Sequence, residues 1–117
     1  MRDCSGAVAV EFAIILVPLL LLLLGIFDIG KVTLTATRIN FAVEAAAKCG
    51  AISGVMCASP PQTSAYGASN AGLRGLDASG FSVTTAACGM NVTATYAYAG
   101  AVLPAITLSA SACYPTG

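Results

Sequence analysis

The sequence predicts an α+β chain: a long N-terminal transmembrane-plus-amphipathic helix carrying a small disulfide-linked head, a three-stranded antiparallel β-meander. Three observations carry this. Residues 12–27 run for sixteen positions without a charge, and seven of them are Leu. Apolar residues then recur at helical spacing almost to residue 50. From Phe81 onward the apolar period drops to two, and four of the five cysteines lie beyond the apolar run.

The chain has 117 residues, 57% of them hydrophobic and 9% charged, so it has length for one membrane segment and one modest domain. Five basic and five acidic residues cancel. No basic patch offers itself to nucleic acid, and a nucleic-acid partner is not expected. There is no His, which removes the commonest metal ligand and the commonest general base. Asp77, Arg74 and the scattered Ser residues form no nucleophile–base motif. No enzymatic activity, catalytic residue, cofactor or small-molecule substrate is therefore expected.

Residues 12–27 make about 24 Å of helix, slightly short of a ~30 Å hydrocarbon core. Ala7, Val8, Ala9 and Val10 supply the missing length, which places Glu11 inside the apolar span. A carboxylate there is costly and points to a partner of opposite charge. Its bland alternative is a headgroup-level residue with no partner. Arg2 precedes the span and Lys31 and Arg38 follow it, so basic residues barely bias orientation. Pro18 removes one helical hydrogen bond, a loss that neighbouring helices can cover in lipid.

The helical pattern continues past the span. Ile29, Val32, Ala36, Ile39, Val43 and Ala46 share one face, while Thr33, Thr37, Asn40, Glu44 and Lys48 form a polar stripe. Gly50 is the expected C-terminal stop. One helix from about Ala7 to Cys49 is ~65 Å long. Residues 50–63, with Pro60-Pro61, read as loop, and 63–77 as a short, weak helix. Three half-buried strands follow. Phe81 and Val83 share a face with Val92, Ala94, Tyr96 and Tyr98 and with Ile106, Leu108, Ala110 and Ala112. Cys88-Gly89 is the expected two-residue turn between the first two strands, setting Phe81 across from Tyr96. The second loop is expected near residues 99–104, before Pro104.

In such a meander the end of strand three lies beside the start of strand two. This brings Cys113 to Cys88 and leaves Cys49 for Cys57, one of three possible pairings. A zinc site fits the spacings poorly, and no metal is expected. The sequon Asn91-Val92-Thr93 falls in a strand and is read as chance.

Three processing fates compete for the apolar run: a secretory signal removed after it, a plain membrane anchor, and a short leader cut at the Gly6 junction. Gly6-Ala7-Val8-Ala9-Val10-Glu11-Phe12, followed by Pro18 and the Leu run, resembles the TadE-like minor pilins (pseudopilins) of the tight-adherence (Tad/Flp) pilus, within the type IV pilin-like superfamily. Gly25-Ile26-Phe27-Asp28-Ile29-Gly30-Lys31 and Ala45-Ala46-Ala47-Lys48 are also similar to that family. The resemblance covers residues 5–50; beyond them it is architectural. It implies a cleaved prepilin leader 1–6, a transmembrane helix 7–28, an amphipathic extension 29–50 and a periplasmic head 51–117, with loop and short helix at 51–80 and the meander at 81–114. It also implies cleavage between Gly6 and Ala7 by a prepilin peptidase, with Glu11 and Phe12 setting subunit register. The implied partners are other pilin-like subunits, that peptidase, the inner-membrane pilus assembly platform and membrane lipid. The implied place is the bacterial inner membrane, single-pass with a cytoplasmic N-terminus, or a cell-surface pilus. A secreted or membrane-anchored small disulfide-stabilised domain with an adhesive or inhibitory role is the alternative. Cys4 departs from the pattern and has no assigned role.

Overall fold

The computed structural model describes residues 4–116. Arg2 and the start of the expected leader, residues 1–3, lie outside the described residues. The elements are α1 (Ser5–Ile52), α2 (Pro60–Ala71), a 3-10 turn (Ala78–Gly80), β1 (Phe81–Ala86), β2 (Gly89–Tyr98) and β3 (Ile106–Tyr114). The strands form one antiparallel sheet in the order β1-β2-β3. The molecule is 84 Å long and about 20 Å across: a rod with a head packed on one end.

Helix α1 passes through Pro18 without ending. Up to Phe27 its side chains are left bare among the described residues: Phe12, Leu20, Leu22 and Phe27 are all exposed. Its second half buries Ile39, Ala42, Val43, Ala46 and Ala47 against the sheet and α2. The small Ala side chains let the sheet approach the helix axis, and Val92 and Ala94 of β2 fill the space between. On the opposite face Thr33 and Thr37 donate back to the carbonyls of Ile29 and Thr33.

The face of α1 that meets the head is rotated from the one expected. Ile39, Val43 and Ala46 are buried, but Ile29 is 59% exposed, while Asp28 and Thr35 are buried. The stripe therefore begins with a charged residue, for a reason given below. The stop also differs. Gly50 lies inside α1, which runs on to Ile52 and is capped by the Ser53 N–H donating to the Cys49 carbonyl. A Cβ on Gly50 would sit 3.1 Å from Met90 Cγ and 3.3 Å from the Thr63 side chain, so its smallness serves close packing.

Pro60-Pro61 opens α2 instead of lying in a loop. Proline suits the first helical turn, where an N–H has no intrahelical partner. Residue Gly67 lets α2 settle onto its neighbours. A Cβ there would meet the Phe81 ring at 2.8 Å and Ala46 Cβ at 3.2 Å. Between α2 and β1, Asp77 accepts from the Ser79 hydroxyl and from its N–H. Those two bonds, the hydroxyl's first, hold the Asp77 carboxyl below its ordinary range.

The meander keeps the expected faces but not the expected register. Phe81 pairs with Ala94, Val83 with Val92 and Ala86 with Gly89, so the turn is Ala87-Cys88. Gly89 belongs to the strand, at φ 126, with the Tyr114 carbonyl close over its Cα. A side chain at that position would collide with β3, which explains why the glycine sits in the strand and not in the turn. The slip is two residues, and a slip of two leaves every side chain on its own face. β2 pairs with β3 from Met90↔Tyr114 to Tyr98↔Ile106. Cys49 is bridged to Cys57 and Cys88 to Cys113, with Cα–Cα separations of 5.7 and 6.2 Å.

Candidate functional site

Two places on the rod gather the sequence-predicted site residues and the buried polar contacts. The first is the start of α1. Gly6, Ala7, Glu11 and Phe12 all lie in its first turns and all are exposed. Gly6 has open space where a side chain would be. The Gly6–Ala7 bond is helical here, not extended, and lies in the opening turn of α1, where the first N–H groups of a helix have no partners within it. Glu11 and Phe12 project from the bare half of the helix into whatever surrounds it.

The second place is where the head meets the end of the span, and sequence reasoning did not single it out. Asp28 follows directly on the uncharged run and is 2% exposed. Its Oδ1 accepts from the Ala101 N–H at 3.0 Å. Its Oδ2 accepts from the Val102 N–H at 2.7 Å and the Leu103 N–H at 3.0 Å. Three consecutive amides of the β2–β3 loop thus close around one carboxylate, an anion-binding nest of backbone dipoles. Gly100 makes room for it: a Cβ there would fall 2.9 Å from Asp28 Oδ2. Tyr98, at the end of β2, is packed beside this clamp. Burial, then the Asp28 charge, then Tyr96 push the Tyr98 phenol above its ordinary value.

The clamp explains the rotated stripe. Asp28 faces the head because the head has donors for it, and Thr35, Ile39, Ala42 and Val43 follow on the same side. One turn further, the Lys31 ammonium stands 5.2 Å from the centre of the Phe27 ring. At the far end of the sheet the Cys88–Cys113 bridge ties β3 to the β1–β2 turn. β3 is therefore held at both ends, by a carboxylate near the span and by a disulfide away from it.

One bare apolar helix, extended into a stalk that carries a small disulfide-bonded head, defines a stalk-and-head protein and suggests a membrane anchor. Among the described residues one helix, α1, is long and apolar enough to cross a membrane. The family model described as TadE-like protein matches residues 6–48. The matched segment runs from the Gly6 junction through the span and most of the stalk, and it marks the chain as consistent with a Tad pilus-associated protein. No curated protein and no solved structure gives a match.

Proposed function

We propose that the chain is a minor pilin or pseudopilin that takes part in assembling a Tad/Flp-type pilus, by helix packing and without catalysis. The observation that carries this is the TadE-like match over residues 6–48, with Gly6, Ala7 and Glu11 at the start of an exposed apolar helix. A prepilin peptidase cuts between Gly6 and Ala7 on the cytoplasmic side and frees the Ala7 amine. The Glu11 carboxylate of a neighbouring subunit then pairs with that cation. In a low-dielectric setting the attraction is much stronger than in water, and it offsets the cost of immersing the carboxylate. The pair fixes the axial offset between subunits, and the bare apolar half of α1 packs against sibling helices. The head stands in the periplasm or on the filament surface, and the assembly platform of the inner membrane receives the processed chain.

Intact-mass measurement of the chain recovered from its host tests the processing. Loss of residues 1–6 supports the reading. Loss of thirty-odd residues means a secretory signal, and a chain retaining residues 1–6 means a plain anchor. The Glu11→Ala variant tests the pairing: cleavage should persist while incorporation with sibling subunits is lost. Normal incorporation of that variant overturns the role given to Glu11.

A further inference from the structure

We infer that the β2–β3 loop, residues 99–105, seats in the boundary layer of the same bilayer that α1 spans, its partner being the glycerol and upper acyl region of the lipid. The inference rests on the reading of α1 as a membrane anchor and adds a second membrane contact, made by the head. Position comes first. The three amide bonds to Asp28 hold the loop at the level of the first charged residue after the apolar run. Glu11 and Asp28 lie about 26 Å apart along the helix, less than the ~30 Å of a hydrocarbon core. At least one of these two carboxylates must therefore lie at the edge of the hydrocarbon or inside it. Asp28 is the one already supplied with donors.

The loop's chemistry matches that depth. It reads Ala99-Gly100-Ala101-Val102-Leu103-Pro104-Ala105, without a polar side chain, and no charged residue follows Asp77 anywhere in the chain. Loops that face water ordinarily carry Asn, Asp or Ser. Val102 is 45% exposed, and Ala99, Ala101, Pro104 and Ala105 are exposed beside it. The loop thus presents apolar surface outward. Irregular backbone is tolerated near hydrocarbon only where its polar groups have partners. Here the N–H groups of residues 101–103 go to the Asp28 carboxylate, and Pro104 has none to satisfy. Four successive residues therefore bring no unpaired donor to the lipid. Lys31, with its long stem and its ammonium over Phe27, suits the headgroup layer just beyond.

The chain contains no Trp, so a single introduced Trp reports depth cleanly. The full chain carrying Val102→Trp is reconstituted in phosphatidylcholine vesicles whose acyl chains are brominated either near the headgroup or deep in the core. Leu21→Trp in the span and Thr84→Trp on β1, toward the other end of the sheet, serve as references. The expected result is a blue-shifted Val102→Trp emission that loses more intensity to shallow bromines than to deep ones, with Thr84→Trp unquenched. If Leu21→Trp is quenched while Val102→Trp emits like Thr84→Trp, the loop inference is overturned and the anchor stands. If Leu21→Trp is also unquenched, the anchor reading falls and takes the inference with it. Should Val102→Trp fail to form the Cys88–Cys113 bridge, Ala101→Trp probes the same loop by the same outcomes.

Discussion

Removing the Cys88–Cys113 bridge tests how β3 is held within the sheet of the head. The two cysteines are 25 residues apart and both are exposed, so Cys88→Ala with Cys113→Ala leaves no buried cavity. What is lost is the constraint on the unfolded chain. For a loop of that length the chain-entropy relation gives about 3.5 kcal/mol at 25 °C. The Cys49–Cys57 bridge spans only eight residues, and the same relation gives about 2.5 kcal/mol. The longer loop should therefore matter more by about 1 kcal/mol. In a domain the size of this head, 3.5 kcal/mol is a fall in melting temperature on the order of 15–25 °C. The assay is urea unfolding of the full chain in detergent, followed by near-ultraviolet circular dichroism of the tyrosines. Tyr96 and Tyr98 lie in the sheet, so they report the head and not the span. Stability is read as the product of midpoint and slope, since a looser unfolded chain also steepens the urea dependence. A loss below about 1 kcal/mol would refute the reasoning. It would mean that the unfolded chain itself already keeps β3 near the β1–β2 turn, so that the bridge removes little of its freedom.

Three further outcomes follow from the packing. Asp28→Asn keeps one acceptor oxygen but turns an NH2 toward at least one of the three N–H donors; the amides of Ala101, Val102 and Leu103 should then exchange with deuterium faster than those of β2, and unchanged protection would show the clamp to be dispensable. Gly67→Val drives a branched side chain into Phe81 and Ala46 and should cost about 1–3 kcal/mol in the same urea assay, whereas Gly54→Ala, at a position open to solvent, should not register. Because the folded state raises the Tyr98 phenol above its ordinary 10.0, its contribution is fully present below pH 10 and is lost as pH rises through the folded-state value. Absorbance titration should show one of the four tyrosines ionising late, and Tyr98→Phe should remove that step.

The local part of this structure was legible from residue order. A sixteen-residue uncharged run followed by helical spacing leaves α1 no alternative, because each turn closes its own hydrogen bonds and needs no distant partner. The period of two in the last third of the chain specifies three strands and their inner faces in the same way. Short loops then leave an antiparallel meander as the simplest path, and that path brings Cys113 beside Cys88. The junction at Gly6 and the position of Glu11 are likewise visible in the order of residues alone.

Other features needed the fold. The two-residue difference in β1–β2 register is invisible to alternation, since both registers put Phe81, Val83, Val92 and Ala94 on one face. The choice was made by β3, whose Tyr114 carbonyl crowds position 89 and admits only glycine. Pro60-Pro61 looks like loop chemistry until a helix is seen to begin there. The facing of α1 was decided by Asp28, whose partners stand more than seventy residues away. They are backbone amides, which every residue but proline possesses and which leave no signature in side-chain order. Spacing along the chain determined what each segment is. Which donors, which carbonyl and which face meet across the chain was decided only when the segments closed on one another.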